Sequence, residues 1–251
     1  MSAWIEARIE EKLRRAETKN IPEALGFLDP AQQAEAQQIL RKIPGARTFF
    51  SGGFPGAERK FLFFLPEYFE EEQFPVSDYI AAFSAQVPFG APSHRDFLGA
   101  LLGLGITWES VGDILVSDAQ SVILVAAKLA PFVREQLQKV GRQGVTLRDL
   151  PLEEIHPEEE PYDEVEATVA SLRLDAVLAA AFHVSRSAAA EAIASGLVAR
   201  NWLILQNPAA ELAEGDLISW RGRGRARLAA CGGVSKKGRQ FISAHVYAKK
   251  R

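Results

Sequence analysis

The chain has 251 residues, 47% hydrophobic and 24% charged with a formal net charge of -3, which is enough apolar material for two or three domains with buried cores. No run approaches the roughly 18 apolar residues of a membrane span, the N-terminus is charged from Glu6 onward and so unlike a secretory signal, and the single Cys231 excludes an intramolecular disulfide or a multi-cysteine zinc site. His94, His156, His183 and His245 form no helical metal pair, so the expectation is a soluble, cytoplasmic chain without metal or cofactor.

Trp4, Ile5, Ile9 and Leu13 recur at helical spacing. In "LDPAQQAEAQQIL", Asp29 can cap, Pro30 takes the first helical position where a missing N–H costs nothing, and Gln32 stands at capping-box spacing. Residues 1–45 therefore read as a small N-terminal helical cap. The rhythm then turns to short strands, "RTFF", "KFLFFLP" and "DYIAAFSAQV", separated by glycine and proline. In the second of these Phe61, Phe63 and Leu65 point one way and Leu62 and Phe64 the other, the pattern of a central strand covered on both faces. "SHRDFLGALLGLG" reads as a helix capped by Ser93 with Asp96 at the third position. A hairpin around Asp118, a helix "LAPFVREQLQKVG" and a strand "VTLRDL" follow. Residues 46–150 thus predict an α+β domain of RRM or ferredoxin-like type. Residues 151–168, rich in proline and glutamate, read as an acidic linker.

Residues 169–251 predict two short helices followed by strands. The first helix carries Leu172, Leu174, Val177, Leu178 and Phe182. The second is capped by Ser185, turns Ala189, Ile193 and Leu197 inward, and stops at Gly196. Charge separates this segment from the rest. Residues 165–251 hold 13 Lys+Arg against 6 Asp+Glu, a balance of +7, whereas residues 1–164 hold 16 against 26. Such asymmetry points to a polyanionic partner for the basic part.

Enzyme motifs fail on inspection. "HRD" at His94–Asp96 shares three letters with a kinase catalytic loop, but position 101 is Leu where the partner Asn belongs. "GALLGLG" closes a helix where a dinucleotide loop would open one. No Walker sequence, G-x-S-x-G or Cys/His nucleophile pair is present.

At "SRSAAAEAIASGLV" an arginine stands at a helix start whose positive end repels it. Free N–H groups there, the hydroxyls of Ser185 and Ser187, and the planar fork of Arg186 together suit a phosphate or a guanine edge. Pairing of Arg186 with Glu191 or another nearby acid is the alternative. In "WRGRGRARL", a strand would project Arg221, Arg223, Arg225 and Arg227 from one face, about 6.6 Å apart, as a comb for a ribose-phosphate backbone; a flexible basic tail is the other reading. Lys236, Lys237 and Arg239 add charge on a turn. Trp202, after Asn201, either stacks on a base or fills a hairpin.

"LRLDAVL…SRSAAAEAIASGLV…N…LAEGDLISWRGRGR" resembles the S-four RNA-binding module, named for a ribosomal small-subunit protein. Upstream, "GFLDPAQQ", "SGGFPGAERKFLFFLPEYF" and "HRDFLGALLGLGI…GDI" resemble the YlmH family, in which a helical cap and an RRM-like domain precede that module. The order and spacing of these segments cover nearly the whole chain. The resemblance implies that the helix–turn–helix face, with Arg173 of the "RLD" box, lies on structured RNA, and that Asn201 belongs to the turn contacts. Arg200 departs from the family, which has an apolar strand residue there; either the strand twists so that Arg200 joins the basic, RNA-contacting face, or the local register differs. The resemblance further implies a monomeric, non-enzymatic factor that binds ribosomal RNA or tRNA on the large ribosomal subunit and handles stalled peptidyl-tRNA complexes.

For the middle domain, the buried pattern of Phe61, Phe63 and Phe64 and the acidic balance argue against a phosphate surface. The "GGFPGAERK" loop, with Arg59 and Lys60, is the contact to expect there, and His94 and Arg95 are weighed against capping and local salt bridging. Two other functional classes stay open. One is an RNA-modifying enzyme of pseudouridine synthase or methyltransferase type, since such enzymes carry the same module. The other is a cell-division scaffold.

Overall fold

A computed structural model describes residues 3–88, 92–117, 121–157, 161–235 and 238–247. The chain divides into two compact units, Met1–Glu158 and Glu159–Arg251.

The first unit opens with α1 (Ala3–Lys19), β1 (Glu23–Leu28) and α2 (Pro30–Leu40), followed by β2 (Thr48–Ser51) and β3 (Lys60–Phe64). The Asp29–Gln32 capping box forms, each side chain bonding the other residue's backbone N–H at 2.8 and 2.9 Å. Strand β1 corrects the expected helical cap, because it pairs with β3 in a three-stranded sheet of order β1-β3-β2. The segment spanning residue 45 is therefore continuous. β3 is the central strand, and its two faces go to different cores. Leu62 and Phe64 meet Ile5, Ile9, Ala36 and Ile39 of the two helices. Phe61 and Phe63 meet Phe27 and a second sheet.

That second sheet comprises β4 (Ile80–Gln86), β5 (Val111–Leu115), β6 (Ser121–Ala126) and β9 (Thr146–Leu150). Helices α3 (His94–Gly103) and α4 (Ala130–Gln136) interleave with them, and a two-residue hairpin, β7 (Lys139–Val140) and β8 (Gln143–Gly144), precedes β9. The order β5-β6-β4-β9, all antiparallel, with βαββαβ connectivity is the ferredoxin-like arrangement. The strands "RTFF" and "KFLFF", assigned above to this sheet, belong to the first one instead. Asp118, the expected hairpin tip between β5 and β6, lies outside the described residues.

On the helical side, Phe97, Leu101 and Val133 pack on Phe83, Ile123 and Val125. On the other side, Ile80, Ala82, Val122 and Leu124 pack on Phe27, Phe61 and Phe63 of the three-stranded sheet. RRM domains stack bases on the open face of this sheet. Here that face is covered by protein. Close approach of the two sheets depends on glycine: a Cβ at Gly112 would lie 2.7 Å from the Phe27 ring and 2.9 Å from Leu124 Cβ. Gly112→Ala is therefore expected to destabilise the unit by about 1–3 kcal/mol through overpacking, measured as a lower urea midpoint. An unchanged midpoint would contradict the tight seam.

The second unit is a six-stranded sheet of order β10-β15-β14-β13-β11-β12 with two helices on one face. Its elements are β10 (Asp163–Val169), α5 (Leu174–Ala181), α6 (Arg186–Ala194), β11 (Val198–Arg200), β12 (Leu203–Ile204), β13 (Leu217–Trp220), β14 (Gly224–Val234) and β15 (Gln240–Tyr247). Leu174, Val177, Leu178, Ala189 and Ile193 pack on Val198, Ile218, Leu228 and Ile242. Strand β10 occupies the second half of the expected linker. Its alternation of Val165, Ala167 and Val169 with acidic residues is a period-2 pattern that the glutamates disguise. Leu197, expected inward, is exposed beyond the end of α6.

Candidate nucleic-acid interface

Helix α5 begins without a side-chain cap, at Arg173. The backbone N–H groups of Leu174 and Asp175 donate instead to the carbonyls of Ala210 and Pro208, at 2.8 and 3.1 Å. This leaves the Asp175 side chain for another task. Its carboxylate accepts from Arg173 Nε and Nη2 at 3.2 and 2.9 Å, and from Arg186 Nη2, in the first turn of α6, at 3.1 Å. Asp175 is 6% exposed, whereas the arginine side chains are 37% and 51% exposed. Burial alone would push the Asp175 carboxyl up. The hydrogen bonds and charges of the two arginines outweigh it and hold the group below the usual carboxylate range.

The arrangement answers why an arginine stands at a positive helix end. The alternative of pairing with a nearby acid is also met: the acid is not Glu191 but Asp175, the carboxylate of the neighbouring helix. Two guanidiniums share one anion, so the group of three carries a net charge of +1 and both forks are held with outward N–H groups free to face solvent. Beside them Ser185 caps α6 by accepting from Ala188 N at 3.1 Å, and its hydroxyl lies 3.0 Å from that of Ser187. The structure thus brings Arg173, Ser185, Arg186 and Ser187 together. Asp175, which orients them, was missed in the sequence although the "RLD" triplet displays it.

Arg200 and Asn201 have a different setting. Asn201 and Trp202 take positive φ, 47° and 64°, as the two central residues of the β11–β12 hairpin. The Asn201 amide donates to Asp216 Oδ1 at 2.7 Å and accepts from Leu217 N at 2.9 Å. Arg200 Nε lies 2.8 Å from Asp216 Oδ2, and Arg200 Nη1 donates to the Glu211 carbonyl at 3.1 Å. Buried Asp216 therefore ties the hairpin to β13, and both expected contact residues are engaged within the protein. Trp202 is exposed at the turn.

The four-arginine comb is corrected. Arg221 and Arg223 lie in the turn between β13 and β14, where Gly222 and Gly224 take positive φ. Only Arg225 and Arg227 stand on the strand. Arg223 covers the Trp220 ring at 4.7 Å. Arg239 donates to the Thr168 carbonyl, and Lys236 and Lys237 lie outside the described residues. In the first unit Arg59 is also corrected. It is buried, donates to the carbonyls of Val111, Phe27 and Trp108 at 2.8, 3.1 and 3.0 Å, and lies over the Trp108 ring. It is a seam between sheets and offers no surface. Lys60 is half-buried at the start of β3, and His94 and Arg95 are exposed in the first turn of α3. Among the described residues no cluster of three His, Cys, Asp or Glu side chains is placed to hold a metal, and no helix is long and apolar enough to cross a membrane.

Three family models match in succession: "YlmH, N-terminal" over residues 6–69, "Putative RNA-binding domain in YlmH" over 70–154 and "S4 domain" over 172–218. The chain is 36% identical over 216 residues to "Ribosome-associated protein quality control protein P2" of Bacillus subtilis (strain 168), covering 84% of this chain and 82% of that protein. The chain belongs to the YlmH family. Among solved structures it is similar to "Cell division protein ylmH from Streptococcus pneumoniae", with 26% identity and a TM-score of 0.52, covering 61% of this chain and 93% of that one. The first YlmH segment corresponds to the helices and three-stranded sheet, and the second to the ferredoxin-like sheet. The S4 match takes in the Arg173–Asp175–Arg186 group and leaves β10, β14 and β15 outside it.

Proposed function

We propose that the chain is a non-enzymatic, cytoplasmic RNA-binding factor that associates with the ribosome as a monomer. In this reading it contacts ribosomal RNA or tRNA on the large subunit in complexes stalled with peptidyl-tRNA. The observation that carries it is the pair of half-exposed guanidiniums held by one buried carboxylate at the S4 helix face. Pre-oriented forks bind phosphate without first losing rotamer freedom, and phosphate contacts position a protein on folded RNA. The printed name of the Bacillus subtilis relative supports the ribosomal setting.

Sedimentation of the full chain with separated small subunits, large subunits and assembled ribosomes tests it. Co-sedimentation with large subunits, strengthened when peptidyl-tRNA is present and weakened steeply by salt, is expected. Absence from every ribosomal fraction at low salt would overturn the ribosomal reading. Modified nucleotides appearing in RNA after incubation with the pure protein would overturn the non-enzymatic one.

A further inference from the structure

The helices α5 and α6 cover one face of the six-stranded sheet, and the opposite face carries a second set of chemistry. On β15, Ile242, Ala244 and Val246 turn toward the helices, so Phe241, Ser243, His245 and Tyr247 project from the other side. On β14, Ala226 and Leu228 are buried, and Arg225 and Arg227 project away from them. The antiparallel register sets Arg225 opposite Tyr247 and Arg227 opposite His245. Tyr162, just before β10, stacks on His245 with ring centroids 3.9 Å apart and planes 14° from parallel, and meets the edge of Tyr247 at 5.9 Å. The Arg225 guanidinium lies over the Tyr247 ring at 5.9 Å. Three rings and two arginines thus form one patch.

Their exposure is what calls for an explanation. Tyr162 is 45% exposed over half-buried His245 and Tyr247, and Phe241, further along β15 on the same face, is 50% exposed. Small residues at Ala230 and Gly232 open a groove of about 380 Å³ beside Phe241, also lined by Glu166, Thr168 and Ser243. Charge is graded across the face. Glu164 and Glu166 stand on β10, with Glu164 accepting from Ser243 Oγ at 2.8 Å, and the arginines stand on β14. A polyanion crossing this face is repelled from the β10 side and held on the β14 side.

We infer that this face binds single-stranded RNA, with one or two bases stacked on the outer face of Tyr162, which His245 backs from beneath, and on Tyr247, and with phosphates on Arg225 and Arg227. A ring with one open face takes any base by that face, and neighbouring arginines take the backbone, which is the composition of single-strand platforms. A duplex offers no unstacked base to such a face, so the site is selective for unpaired RNA. The inference goes beyond the helix-face reading and rests on it only in taking RNA as the polymer.

Two fluorescein-labelled probes test it with the full chain: a ten-nucleotide unstructured RNA and a stable RNA hairpin. Tyr162→Ala/Tyr247→Ala is expected to lower affinity for the unstructured probe by about tenfold or more, with hairpin binding unchanged. Tyr162→Phe/Tyr247→Phe should restore it, because stacking needs the ring and not the hydroxyl. Arg173→Ala/Arg186→Ala should give the converse pattern. Circular dichroism melts confirm that each variant folds. Wild-type affinity in the double alanine variant, or no binding of the unstructured probe by a wild type that binds the hairpin, would overturn the sheet-face inference alone. A wild type that binds neither probe would overturn the RNA-binding reading and this inference with it.

Discussion

Asp175→Asn is expected to weaken RNA binding and destabilise the C-terminal unit together, although the substitution removes a negative charge from a site meant for a polyanion. The carboxylate is buried and accepts three hydrogen bonds from two arginines. Asparagine keeps one acceptor oxygen and loses the charge, so the loss is that of charge-assisted bonds, about 1.5–3 kcal/mol. The guanidiniums then rotate freely and must be ordered again on binding, at about 0.5–1.5 kcal/mol for each side chain. Long-range attraction rises slightly in the opposite sense and is screened within about 8 Å at physiological salt. Acid unfolding offers a second check. Because the folded-state carboxyl is held below its ordinary range, its contribution is fully present above about pH 4 and is lost as pH falls through the folded value. Wild type should therefore lose stability in the C-terminal unit on acidification more steeply than Asp175→Asn. A variant that binds RNA more tightly than wild type would show that Asp175 merely dilutes positive charge.

Phe63→Ala should cost the first unit about 3–5 kcal/mol of stability. Phe63 is fully buried, with Phe49 stacked at 4.9 Å, Phe74 at 4.9 Å and Tyr79 edge-on at 5.2 Å. It lies at the seam where the three-stranded sheet covers the ferredoxin-like sheet. The core of the C-terminal unit contains none of these residues. Hydrogen exchange followed peptide by peptide should therefore show loss of protection in β1–β6 and none in β13–β15. Equal loss in both units would contradict the separation of cores.

What could be read from the sequence was what is decided locally. The capping boxes at Asp29–Gln32 and Ser93–Asp96 form as their spacing requires, and the two-faced pattern of "KFLFF" did mark a central strand. Strand β1 was illegible because "EALGFL" is short and its identity comes from pairing with β3, some 35 residues away. Arg59 illustrates a second limit. Charge suggests a surface, yet three carbonyls brought from separate segments satisfy this guanidinium inside the fold. The arginine comb failed for a backbone reason, since alternate glycines that could extend a strand also permit the left-handed turn it makes at Gly222. At the candidate interface the arginine at the helix mouth was visible, but its partner was not, because Asp175 and Arg186 meet only once two helices pack.

The most direct test of the central claim is the salt dependence of hairpin RNA binding by wild type, Arg186→Ala and Arg173→Ala/Arg186→Ala. If both guanidiniums contact phosphates, the slope of log affinity against log salt should flatten by somewhat under one for the single variant and by roughly twice that for the double. Identical slopes in all three proteins would place the phosphate contacts elsewhere and contradict the account.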